Sequence, residues 1–251
     1  MRRIGLAALL GAAASGCVAT TGDPARNRHY LEQADKLFLL EQYSQAAGYY
    51  DEFLRDNPDH VERAEVRTRA GRAHFGAGRP DLAIAAFDRA MTENPAAPLR
   101  WEIQFRRAVA LRAQGDFARA LEGFRAVAAA PLSERGQRVQ NDELHYEYAI
   151  TLCRAGEWSA GQAELAKVSP TGPKGREAQK RLGLSAFTVQ VASFEDPTRA
   201  QAEAAKVKGL VRPIPNEKLF VVTSGAFPRY EEAVREAERL RRTYPEAFVL
   251  P

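Results

Sequence analysis

Phe187-Thr188-Val189-Gln190-Val191-Ala192-Ser193-Phe194 is the stretch at which the chain changes period. Phe187, Val189 and Val191 alternate with Thr188 and Gln190, the two-residue period of a strand with one buried face. Asp196-Pro197 then supplies a helix N-cap and a first-turn proline, and Ala200, Ala204 and Val207 make a helical stripe that Gly209 closes. The same unit recurs further on: Phe220-Val221-Val222-Thr223-Ser224-Gly225-Ala226-Phe227 is followed by Ala233, Ala237 and Leu240, and 220 − 187, 227 − 194, 233 − 200 and 240 − 207 all equal 33. Between the halves, residues 210–214 read as a short strand that Pro213 and Pro215 confine to a sheet edge, and residues 247–250 supply a last strand. Strand, helix, strand, strand, helix, strand from two similar halves is a ferredoxin-like α+β arrangement. Both helices cover one sheet face, which leaves the face with Thr188, Gln190, Val221 and Thr223 open as a binding platform. Strict alternation turns Ser193 toward the helices, so a part for it on the platform requires a bulge or a strand end. No aromatic of this first strand lies on the open face.

Upstream of residue 185 the period is helical, and four segments align. They carry Ala34, Gly71, Ala108 and Ala149 in one column, and Ala46, Ala83, Ala120 and Gly161 in another. Tyr50, Phe87, Phe124 and Leu165 fill a third, and the second of these columns steps by 83 − 46 = 37, 120 − 83 = 37 and 161 − 120 = 41. Each unit is an apolar series with small residues, a Gly or polar break, and a second apolar series at i, i+4, i+7. That predicts a helix–turn–helix whose small positions let two backbones approach. Pro58 and Pro95 stop the second helices of the first two units, and residues 174–184 predict a solvating cap helix. Arg67, Arg69, Arg72, Arg106, Arg107 and Arg112 fall on first helices. They read as a solvated charged face in preference to a basic groove for an acidic partner. His74 occupies a packed column, where a satisfied core histidine is expected.

The helical units resemble the tetratricopeptide repeat, whose period is about 34 residues. The resemblance implies an all-α solenoid over residues 26–184 with a concave groove for a protein partner. The period here is longer, and no Trp opens the repeats. The C-terminal module, residues 185–251, resembles a SPOR domain, the sporulation-related repeat that binds bacterial peptidoglycan. The residues carrying this resemblance are Val189-Gln190-Val191-Ala192-Ser193-Phe194 and Gly225-Ala226-Phe227. It implies binding to glycan strands stripped of their stem peptides, which accumulate at the division septum, with Gln190 and Ser193 at ligand positions and Thr188 and Thr223 beside them. A primary amide such as that of Gln190 both donates and accepts, which suits sugar hydroxyls and N-acetyl groups.

The N-terminus begins Met1-Arg2-Arg3, is apolar over residues 4–14 and reaches Ala14-Ser15-Gly16-Cys17, the pattern of an export signal too short to span a bilayer. Ala-Ser-Gly-Cys resembles a bacterial lipobox. That implies a signal peptide of residues 1–16, a lipidated Cys17 anchoring the protein to the membrane, and a linker over residues 17–25. Val18 after the cysteine, instead of Asp, implies an outer-membrane location facing the periplasm. Cys153 is then left without an intramolecular partner and reads as buried filler.

The 251 residues have an ordinary globular composition, 45% hydrophobic and 27% charged. A net charge of +4 falls to 4 − 2 = +2 with the signal removed, and residues 186–251 hold ten Lys+Arg against nine Asp+Glu, so no nucleic-acid partner is expected. The four histidines, His29, His60, His74 and His145, are scattered, and no His-Glu-x-x-His, Cys-x-x-Cys or Gly-x-Ser-x-Gly motif is present. A non-enzymatic protein without metal or cofactor is therefore expected: an envelope lipoprotein that binds peptidoglycan and scaffolds a protein partner. The other readings are an assembly factor of the outer membrane and an accessory activator of a wall hydrolase.

Overall fold

The computed structural model describes residues 24–214 and 218–250; the expected signal peptide, Cys17 and most of the linker lie outside these residues. Four helical hairpins follow one another: α1 (Pro24–Leu39) with α2 (Tyr43–Asp56), α3 (Arg63–Gly76) with α4 (Pro80–Thr92), and α5 (Ala97–Ala113) with α6 (Phe117–Ala129). A single turn, α7 (Leu132–Arg135), precedes the fourth hairpin, α8 (Asn141–Arg154) with α9 (Trp158–Leu165). This insertion accounts for the longer step to the fourth unit. The cap helix expected at residues 174–184 is α10 (Gly175–Arg181).

The aligned columns are the packing. Ala46, Ala83 and Ala120 are wholly buried, as are Phe124 and Leu165, with Tyr50 and Phe87 nearly so. The small positions are small for a measurable reason. A Cβ on Gly71 would sit 2.6 Å from the Phe87 ring, and one on Gly161 would sit 2.5 Å from Cys153 Sγ. At these two positions the paired helices are too close for any side chain. His74 is buried but only half satisfied: Nε2 lies 3.2 Å from Asp51 Oδ2, whereas Nδ1 has no partner among the described residues.

The C-terminal module contains β1 (Phe187–Phe194), α11 (Pro197–Lys206), β2 (Leu210–Pro213), β3 (Phe220–Phe227), α12 (Tyr230–Leu240) and β4 (Phe248–Leu250). The strands form one antiparallel sheet in the order β2-β3-β1-β4, so the proline-bearing strand is an edge, where its missing N–H costs no ladder bond. Asp196 caps α11 as its sequence demands, its carboxylate accepting from the Thr198 N–H at 2.8 Å. The helix ends differently from expectation, since Lys208 and not Gly209 takes the left-handed conformation, at φ 49°. Val189, Val191 and Val222 meet the alanine stripes of the two helices, Ala200, Ala204 and Ala237, with Leu240.

The module packs directly on the last hairpin. Trp158 lies 4.8 Å from the Phe187 ring, which is 5.4 Å from Tyr230. Trp158 Nε1 donates to the Pro228 carbonyl at 2.7 Å, and the Arg154 guanidinium sits 4.5 Å over the Tyr230 ring. Buried Cys153 and Ala233 complete this joint. Cys153 is filler, as expected, and burial pushes its thiol up to about 11.

Candidate functional site

The decisive local feature is a bulge in β1. Gln190 pairs with Thr223, but the next pairs are Ala192 with Val222, Ser193 with Val221 and Phe194 with Phe220. One extra residue is thus inserted on β1 between Gln190 and Ala192, and alternation restarts after it. The cause is apolar burial. Phe187, Val189 and Val191 keep period two, but Phe194 follows Val191 at a spacing of three, so a regular strand would expose its ring. The bulge returns Phe194 to the helix side, where it packs with Phe220 on the core. The same shift turns Ser193 to the open face. Gln190 Nε2 then donates to Ser193 Oγ at 3.2 Å, which presents the two side chains as one polar unit.

Cross-strand pairing extends that unit into a surface. Leu210 of β2 pairs with Thr223, Thr223 with Gln190, and Gln190 with Phe248 of β4, a row running across all four strands. The adjacent row holds Arg212, Val221 and Ser193. Its two flanks stand proud of the sheet, Leu210 being 64% and Phe248 44% exposed. Between them Thr223, at 3%, and Val221 form a floor. The four residues expected on the platform therefore divide. Gln190 and Ser193 offer polar atoms at the surface. Thr188 and Thr223 are buried, and their hydroxyls donate to backbone carbonyls, Thr188 to Ser224 at 3.1 Å and Thr223 to Leu210 at 3.5 Å. Both bonds commit the hydroxyl proton to a neighbouring strand, and burial covers the acceptor lone pairs, which leaves little of either hydroxyl for a ligand. Phe248, Leu210 and Arg212 were not anticipated. Alternation within residues 247–250 and 210–213 contains the signal, but only the pairing with β1 and β3 says which face is which. Phe248 supplies the open-face aromatic that β1 lacks, and no described carboxylate pairs with Arg212.

The repeat arginines present a different outcome from either expectation. Arg69 pairs with Asp35 at 3.1 Å, Arg72 with Glu102 at 3.8 Å, Arg106 with Glu143 at 2.7 Å and Arg112 with Glu147 at 2.6 Å. Arg67 pairs with Glu93 at 2.8 Å, Arg107 with Asp88 at 2.5 Å, and Arg138 joins Glu65 and Glu102. These are ties between neighbouring helices, largely part-buried. They form a charge-matched ladder, neither a free solvated face nor a basic groove. The remaining room in the groove is apolar at its base: Phe38, Phe75, Phe87 and Val109 line a cavity of about 330 Å³ beside Arg72 and Arg106.

Comparison with known proteins agrees with this division. The family model of the SPOR domain matches residues 183–251, and that of the tetratricopeptide repeat matches residues 31–98 and 68–134. The fourth hairpin lies beyond the matched repeats. No curated protein matches the chain. Among solved structures, PilF of Pseudomonas aeruginosa is 17% identical, covering 63% of this chain and 68% of that one with a TM-score of 0.48. MamA AMB-1 is 21% identical, covering 56% of this chain and 75% of that one with a TM-score of 0.43. A tetratricopeptide repeat protein from Parabacteroides merdae is 12% identical, covering 88% of this chain and 68% of that one with a TM-score of 0.48. Likenesses of this size carry no functional argument. The chain carries a tetratricopeptide scaffold of the kind that binds proteins, followed by a C-terminal SPOR domain, a peptidoglycan-binding module.

Proposed function

We propose that this is a non-enzymatic envelope lipoprotein whose SPOR sheet binds glycan strands lacking stem peptides, at the division septum, while the repeats hold a protein partner. The observation that carries the reading is the bulge that sets Gln190 and Ser193 side by side on the open face, flanked by Phe248. An amide and a hydroxyl beside an exposed ring suit an N-acetylated sugar: the polar pair answers its amide and hydroxyls, and the ring takes its apolar C–H face. A strand without stem peptides exposes lactyl carboxylates, for which Arg212 is the available cation. Acyl chains on Cys17 tether the protein to the outer membrane facing the periplasm.

The test is co-sedimentation of the chain from residue 24 onward with wall sacculi, intact or stripped of stem peptides by an amidase. Preferential binding to stripped sacculi is expected, and equal binding to both sinks the glycan reading. Gln190→Ala removes one neutral hydrogen-bonding group, about 0.5–1.5 kcal/mol, and weakens binding two- to tenfold; Phe248→Ala weakens it at least as much. Palmitate labelling of the full chain, abolished by Cys17→Ala, checks the anchor.

A further inference from the structure

We propose that the joint between the last hairpin and the SPOR domain is a second binding site, for a small carboxylate on an apolar body. The joint holds a partly open cavity of about 140 Å³ lined by Trp158, Phe187 and Tyr230 and by Arg154 and Arg181. No carboxylate of the described residues lines it.

Arg72 and Arg106 also line an aromatic cavity, beside Phe38, Phe75 and Phe87, but both of those are ion-paired. Arg67, Arg69, Arg72, Arg106, Arg107 and Arg112 are matched to carboxylates along the ladder described above. Arg154 and Arg181 have no ion pair among the described residues. Arg154 lies over the Tyr230 ring, and Arg181 Nε donates to the Tyr146 hydroxyl at 3.2 Å. Burial, then the neighbouring Arg112, push the Arg154 guanidinium below its ordinary range, against a weaker opposing pull from Tyr230 and Glu147. Two arginines at one cavity supply the charge a carboxylate needs, and three aromatic residues supply the surface for a short apolar body. The volume is below the ~300 Å³ of pockets for drug-sized ligands, which limits the occupant to a small molecule.

The site is separate from the glycan surface. Phe187 and Val249 reach the cavity from the helix-covered side of the sheet, opposite Gln190 and Phe248. Its walls come from both domains and from the connecting segment, through Leu184. An occupant stabilises the closed joint by linkage, because it binds only when the two domains are docked.

The experiment titrates the full chain with benzoate as probe, with benzamide and inorganic phosphate in parallel. Emission of Trp158 and the melting temperature are followed; Trp101, the other tryptophan, serves as background. The expected result is saturable quenching and a rise in Tm with benzoate, at least tenfold weaker binding of benzamide and phosphate, and at least tenfold weaker benzoate binding by Arg181→Met. Arg154→Lys, which keeps the charge over Tyr230, retains binding within a few-fold, whereas Arg154→Met loses at least tenfold. Absence of saturation overturns the proposal, as does equal binding of benzamide or phosphate, or unchanged benzoate affinity in both methionine variants. Sacculus binding by Arg181→Met stays unchanged, which keeps this site distinct from the glycan surface.

Discussion

Glu41 stands where the other three hairpins have Gly78, Gly115 and Gly156, and all four residues take positive φ: 59° for Glu41 against 72°, 86° and 89° for the glycines. This is the turn position at which the first helix of each hairpin must reverse. A side chain there costs about 1–2 kcal/mol in left-handed conformation, and glycine returns part of that as lost chain entropy, roughly 0.5–1 kcal/mol. Glu41→Gly is therefore expected to stabilise the repeats by about 0.5–1 kcal/mol, read as a higher urea midpoint with an unchanged slope. A lower midpoint would show that the Glu41 side chain contributes contacts outweighing its strain. Ser193 teaches a related lesson at the same scale. Its identity was visible in the sequence, but its direction depended on one inserted residue two positions earlier.

At the scale of elements, the ladder of ion pairs joins helices that the apolar columns alone would leave free to slide. Glu102 is its centre, with a side chain only 8% exposed that meets Arg138 at 2.7 Å and Arg72 at 3.8 Å. Glu102→Gln leaves Arg72 without its charge partner and Arg138 with Glu65 alone, and a loss of about 1–3 kcal/mol is expected, since both arginines remain partly hydrated. The exposed i,i+3 pair of Asp116 with Arg119 provides the contrast. Its removal through Arg119→Ala is expected to cost no more than about 0.5 kcal/mol. Chemical denaturation of both variants at low and high salt separates the two cases, and equal effects would reduce the ladder to ordinary surface pairing. The ladder was half legible. Six arginines were readable on first helices, but their acids, Asp35, Glu102, Glu143 and Glu147, lie roughly one repeat away and become partners only when hairpins stack.

For the whole molecule, the aromatic joint decides whether the solenoid and the sheet behave as one body. Trp158, Phe187 and Tyr230 bury apolar area that neither domain covers alone, and the Trp158 N–H finds its acceptor across the boundary. Trp158→Ala removes a large ring from a half-buried position, for which a loss of roughly 2–4 kcal/mol is expected. Scanning calorimetry is expected to show one cooperative transition for the parent and two for the variant, with the SPOR transition at the lower temperature. Two transitions in both proteins would mean that the joint does not couple the domains. The joint also sets where the open face of the sheet points relative to the repeats.

Much of this was determined by the sequence alone. Helical period with small residues in register dictates stacked hairpins, and alternating period in two copies 33 residues apart dictates a two-helix, four-strand sheet, because apolar burial tolerates no other phase. The family of each half was equally readable, and the local caps nearly so. Only the tertiary structure decided which side chains share a surface. A bulge moved Ser193 to the open face, strand order brought Phe248 and Leu210 to flank Gln190, and stacking of the hairpins matched Arg69, Arg72, Arg106 and Arg112 to acids of neighbouring repeats. Packing of the last hairpin on the sheet left Arg154 and Arg181 without an acid partner among the described residues. These outcomes rest on contacts between residues far apart in the chain, and local periodicity contains no information about them.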